Sequence, residues 1–173
     1  MDGSLASKND IGCITIINAT NKLTPADLYK GVADCINAEK YENASELFAL
    51  AGMYGNFDAA RVSDKTAGQA KTVLIMNTFN GLPEDKKQKF SAVFTERLSK
   101  NKIALRDFCL NVVKIGYPAY YPDYMILHGI KAFTGNPNKD ALSETFDPAA
   151  TWNKLFDTYL HCPSGAVPGT GSK

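Results

Sequence analysis

The sequence predicts an all-α fold, a single irregular bundle of six or seven helices. Three observations carry this reading. Apolar residues recur at three- and four-residue spacing along most of the chain. Helix-start signals that pair a capping residue or first-turn acids with proline occur at Thr24-Pro25, Pro83-Glu84 and Asp147-Pro148. The one β-branched run, Ile14-Thr15-Ile16-Ile17, has no second strand to satisfy its backbone.

Taken in order, residues 1–22 read as an extended or mobile arm and residues 23–162 as the helical domain. A first helix is capped by Thr24 and carries Leu28, Val32, Cys35 and Ile36 on one face. After a break at Glu39-Lys40, a second helix lines up Ala44, Leu47, Phe48, Ala51 and Tyr54, and Gly52 and Gly55 read as its stop. A third, over residues 58–77, places Ala67, Ala70, Val73 and Leu74 together until Asn80-Gly81-Leu82-Pro83 breaks it. A fourth begins at Pro83 with Glu84 and Asp85 in its first turn, and Phe90, Val93, Phe94 and Leu98 form its stripe. Residues 99–102 read as a turn. Leu105, Phe108, Cys109, Val112 and Val113 then mark a fifth helix, ended by Gly116 and Pro118. Pro122-Asp123 opens a sixth with Tyr124, Leu127, His128 and Ile130, up to Gly135. Asp147 caps a seventh bearing Trp152, Leu155, Phe156 and Tyr159. Residues 163–173, rich in Gly, Ser and Pro, read as a disordered tail.

The hairpin of the first two helices, with Tyr29, Gly31, Tyr41, Ala44, Leu50, Ala51 and Gly55, is similar to one unit of a tetratricopeptide or Sel1-type repeat. No second copy follows at that period, and a solenoid needs about three to bury its faces. One such unit inside an irregular bundle is the expectation.

Composition narrows the functional classes. A chain of 173 residues that is 45% hydrophobic can bury one good core. A formal net charge of +1 gives it no electrostatic identity, and the basic residues of the segment from Glu84 to Lys114 have Glu84, Asp85, Glu96 and Asp107 among them, so the local excess is modest. A nucleic-acid partner is therefore not expected. No apolar run reaches the ~20 residues that span a bilayer.

Catalytic signatures are missing. There is no nucleophile elbow, HExxH, Walker or dinucleotide pattern, and neither a metal site nor a cofactor is expected. Cys109 with His128 is the one nucleophile–base pairing to name, yet Cys109 falls mid-helix between apolar neighbours, where a thiolate is disfavoured. Glu39, Glu42 and Glu46 lie close together on the hairpin and could supply paired carboxylates for glycoside cleavage, although surface charge is the plainer reading.

The four cysteines permit three disulfide connectivities, and free buried thiols are the alternative. Cys35 and Cys109 both lie on apolar helix faces, so a bond between those helices is conceivable. A bond between Cys13 and Cys162 would tie down both ends of the chain.

The most unusual composition lies in residues 116–124, where four tyrosines and two prolines fall within nine residues. Tyrosine buries a ring while its hydroxyl keeps a hydrogen bond, which suits an interface as well as a core. Met53-Tyr54-Gly55-Asn56-Phe57 reads as a second aromatic turn. The candidate contact residues are Tyr117, Tyr120, Tyr121, Tyr124, Met53 and Tyr54.

In size, in the hairpin with Cys35, in the later helix with Cys109 and in residues 116–133, the chain resembles small exported all-helical bacterial proteins, among them immunity proteins encoded beside type VI secretion effectors. That resemblance implies a non-catalytic protein that binds a cognate toxin in the periplasm and plugs its active site; the cytoplasm is the alternative location, and a homodimer the alternative partner. The competing expectations are a peptidoglycan hydrolase working through Glu42 or Glu46, and a peptide-binding adaptor with a groove between the first three helices.

Overall fold

A computed structural model describes residues 3–136 and 140–167. The architecture is all-helical, with eight α-helices among the described residues: α1 (Pro25–Asn37), α2 (Tyr41–Arg61), α3 (Gln69–Phe79), α4 (Glu84–Thr95), α5 (Lys102–Ile115), α6 (Asp123–Ile126), α7 (Lys131–Thr134) and α8 (Pro148–Thr158). The only β feature among these residues is an isolated antiparallel bridge between Val62 and Leu142. No helix among them is long and apolar enough to cross a membrane.

The chain starts α1 as its sequence dictates. The Thr24 hydroxyl accepts from the Asp27 amide, the Asp27 carboxylate accepts from the Thr24 amide, and Pro25 fills the first turn. At the far end Glu39 takes the left-handed conformation (φ 59°), and the Lys40 amide donates back to the Cys35 carbonyl, which closes the helix. The chain then reverses into α2, which packs along α1.

The central element is α2. Thirteen of its 21 residues are buried, so it is apolar on most sides, as a helix surrounded by others must be. Helices α1, α3, α4 and α8 pack around it. Gly52 and Gly55 do not stop it, contrary to the sequence expectation. A Cβ at Gly52 would collide with the Tyr159 hydroxyl, and one at Gly55 would lie 2.8 Å from the Lys71 side chain. Both glycines make room for neighbours. The helix therefore runs through residues 53–57 and ends at Arg61, and the expected third helix is split between the end of α2 and α3. The α1–α2 hairpin exists, but its second helix is much the longer, and the likeness to a repeat unit goes no further.

Two aromatic clusters build the core. At one end Phe48 meets Tyr29, Phe79, Phe90 and Phe94, each edge-on with ring centroids 5.6–5.8 Å apart. At the other, Phe57 and Trp152 gather Tyr54, Phe146 and Phe156, and the exposed Tyr117 stacks on Phe57 at the outer edge. Between α4 and α5 the expected turn is a π-helical turn over Glu96–Lys100, after which Asn101 caps α5 through two backbone amides. The expected sixth helix is instead two short turns, α6 and α7.

The cysteines pair as Cys13–Cys35 and Cys109–Cys162, with Cα–Cα distances of 4.6 and 6.1 Å. A bond between Cys35 and Cys109 does not form, nor does one between Cys13 and Cys162. The arm crosses α1 and brings Cys13 to Cys35, while the chain reverses after α8 through His161 (φ 55°) and brings Cys162 to α5. The arm is also fixed by Asp27, whose carboxylate accepts from the Ser7 hydroxyl, the Lys8 and Asn9 amides and the Asn9 side chain. Burial would raise the Asp27 carboxyl, but the donors from Asn9, Thr24 and Ser7 outweigh it and hold it below the ordinary 3.8. A lowered carboxyl stabilises the fold above the unfolded value and loses that contribution as pH falls through the folded one. The protection of the Lys8 and Asn9 amides, taken as the intrinsic exchange rate over the observed one, is thus expected to stay flat from pH 7 down to about 5 and to fall below about 4. Flat protection to pH 2 would contradict this clamp. At the other end of the chain Ala166 and Val167 are buried, and residues 168–173 of the expected tail lie outside the described residues.

Candidate interaction surface

Residues 116–134 leave α5, cross the C-terminal end of α2 and reach the 3-10 turn Lys65–Gly68. Successive anchors pin them. The Tyr54 hydroxyl donates to the Gly116 carbonyl (2.8 Å), and Asn21 bonds both sides of Pro118 through the Tyr117 carbonyl and the Ala119 amide. Next comes the strongest anchor. Asp58 is fully buried on α2; one carboxylate oxygen accepts from Arg61 (2.7 Å), and the other accepts from the hydroxyls of Tyr120 and Tyr124, each at 2.6 Å. Arg61 also donates to the Tyr120 carbonyl (3.0 Å) and lies over the rings of Phe57 and Tyr120. Burial pushes the Asp58 carboxyl up, and Arg61 and the two phenols draw it back. Both phenols are driven well above the usual tyrosine value by burial first and by the Asp58 charge second. Every partner donates to Asp58, so the geometry is built around a carboxylate.

Farther along, the Ile130 amide donates to the Thr66 hydroxyl and the Lys131 amide to the Asp64 carboxylate. The Thr66 hydroxyl and the Lys131 amide hold the Asp64 carboxyl below its ordinary value. A Cβ at Gly129 would overlap that carboxylate, so glycine permits this approach. Lys8 meets Asp123 at 2.7 Å on the outer side.

These anchors sort the expected contact residues. Tyr117 and Tyr121 are exposed; Tyr120 is half-buried with its hydroxyl turned inward, and Met53, Tyr54 and Tyr124 are buried. Met53, Tyr54 and Tyr124 are therefore core residues, and the expectation that they form a contact surface is corrected. Met53 and Tyr54 lie inside because α2 continues through them, and Tyr124 because Asp58 draws its hydroxyl inward.

In their place stand Leu127 and Ile130, which the sequence places on a helix face, and Phe133. Leu127, Ile130 and Phe133 are exposed, Ile130 at 60% and Phe133 at 84%. Five of the ten large apolar side chains exposed among the described residues (Tyr117, Tyr121, Leu127, Ile130 and Phe133) come from this single stretch. Exposed apolar groups are the usual mark of a contact surface where they form one contiguous patch. The three-residue spacing of Leu127, Ile130 and Phe133 is visible in the sequence, but it reads equally well as a buried stripe.

The groups proposed for chemistry are engaged elsewhere. Cys109 is in a disulfide and offers no thiolate in this state. Glu46 is buried against Arg97 (2.9 Å); burial raises its carboxyl and Arg97 lowers it, with the net shift upward. Glu42 lies exposed 3.5 Å from the same guanidinium, and Glu39 pairs with Lys86. Cavities of about 490, 360 and 200 Å³ occur, and no glutamate lines any of them. No group of three or more His, Cys, Asp or Glu side chains converges as a metal site among the described residues.

Compared with known proteins, the chain matches no family model, no curated protein and no solved structure.

Proposed function

We propose that this is a non-enzymatic binding protein that neutralises a cognate secreted toxin by laying residues 116–134 over it. One observation carries the reading: among the described residues, half of the exposed large apolar side chains sit on one segment, which is anchored by Asp58 through two tyrosine hydroxyls and by Asn21, Asp64 and Thr66 through its backbone. A surface that is already ordered loses little conformational freedom on binding, which favours affinity. Two disulfides fit an oxidising compartment such as the periplasm, where such a toxin would act. The same bonds rigidify the platform.

The test compares the tagged wild type with Ile130→Asp/Phe133→Asp in pull-downs from source-cell lysate, followed by affinity and inhibition measurements on the purified partner. The wild type is expected to retain one stoichiometric hydrolytic protein and to inhibit it. The double variant should keep its Tm and bind about 10²–10³-fold more weakly, since each central anchor contributes on the order of 2 kcal/mol. Turnover of peptidoglycan by the purified chain would replace this reading with the hydrolase. A concentration-dependent dimer abolished by the double variant would make the partner a second copy.

A further inference from the structure

A cavity of about 490 Å³ opens between α1, α3 and the arm, on residues that the contact segment does not use. Its volume falls in the range of about 300–1,000 Å³ typical of ligand sites. Ala26 and Ala33 of α1 and Leu74 of α3 give it an apolar floor with room for a guest backbone to come close, and Leu5 of the arm walls one side. At the rim stand two exposed carboxamides, Asn37 as the last residue of α1 and Asn80 directly after α3. Lys30 also lines the cavity, but its ammonium is already held by Asp10 (2.7 Å) and Asp34 (3.0 Å). The groove therefore presents apolar surface, neutral amides and the hydroxyl-bearing residues Ser7, Tyr29 and Thr78, with no uncompensated charge.

We propose that this groove binds a short extended peptide bearing an uncharged aliphatic side chain. The floor would take the side chain, and Asn37 and Asn80, each with a donor and an acceptor, would match the N–H and C=O that a dehydrated peptide must keep bonded. A charged ligand would leave its charge unpaired here, and a pure hydrocarbon would strand the carboxamides. The protein itself supplies a precedent beside the groove. Its own arm approaches α1 there and delivers the backbone amides of Lys8 and Asn9 to Asp27. Tyr29 also lines the cavity, and its buried hydroxyl has no hydrogen-bond partner among the described residues.

The probe is acetyl-Ala-Leu-Ala-methylamide, titrated into the ¹⁵N-labelled full chain. Saturable shifts are expected at the amides of Ala33, Thr78 and Asn80. Ala33→Phe, which fills the groove, should weaken binding at least tenfold; if that variant unfolds, Ala33→Leu serves the same purpose. Asn37→Ala and Asn80→Ala should each weaken it about fivefold, the size of one net hydrogen bond. Ile130→Asp/Phe133→Asp should leave the titration unchanged, which separates this site from the toxin surface. The proposal is overturned by an absence of shifts at the groove, by undiminished binding in the filled variant or by indifference to both Asn changes. Equal binding of cyclohexanol, which has no amide, would do the same.

Discussion

Asp58→Ala is expected to lower the stability of this protein by about 3–5 kcal/mol, the usual cost of removing one partner from a buried ion pair. The magnitude follows from what is left behind. Arg61 loses the carboxylate it meets at 2.7 Å, and the hydroxyls of Tyr120 and Tyr124 lose the acceptor they share. The phenols cannot easily turn to water, because Tyr124 is buried and the ring of Tyr120 is held under Arg61. For a chain of this size the loss corresponds to a Tm lower by roughly 6–20 °C. Trp152, the single tryptophan, lies against Phe57 and Tyr54 and reports unfolding in urea directly. Replacing the whole group (Asp58→Leu, Arg61→Met, Tyr120→Phe and Tyr124→Phe) should recover most of the stability, since no orphaned charge or hydroxyl remains. A loss below about 1 kcal/mol for Asp58→Ala would show that water substitutes for the carboxylate, and that residues 116–124 are held by something else.

Removing the Cys109–Cys162 bond by a double alanine substitution is expected to cost about 4 kcal/mol, and removing Cys13–Cys35 about 3 kcal/mol. The order follows from the sequence separations of 53 and 22 residues, since the longer loop restricts the unfolded chain more. Typical domains have about 5–15 kcal/mol in total, so full reduction should leave this one marginal or unfolded at 37 °C. Urea unfolding with and without a phosphine reductant measures the effect, and non-reducing peptide mapping tests the pairing. A Cys35–Cys109 peptide in that map would overturn the disulfide pattern and, with it, the path of the arm.

The readable parts of this fold are those governed by neighbours in sequence. The α1 start at Thr24-Pro25-Ala26-Asp27, the α8 start at Asp147-Pro148 and the end of α5 at Gly116 appear where short-range signals put them, because caps and prolines act within one helical turn. The misreadings share one cause. Gly52 and Gly55 carry the local mark of a helix stop, yet they serve Tyr159 and Lys71, which lie far along the chain. Once they are taken as a stop, Met53 and Tyr54 become a surface turn and residues 58–61 join the wrong helix. Leu127 and Ile130 look like one side of a sixth helix for the same reason: spacing says which residues share a face, and says nothing of what that face meets.

Sequence alone determined that the chain is helical, where several helices begin, and that the tyrosine-rich segment is structurally distinctive; each follows from backbone preference and local hydrogen bonding. Only the tertiary structure decided which tyrosines turn inward and which cysteines meet. Asp58 sits more than sixty residues before the hydroxyls it captures, and Cys13 finds Cys35 only because the arm lies across α1. Long-range pairing of this kind depends on which buried donor finds an acceptor, and local pattern does not encode it.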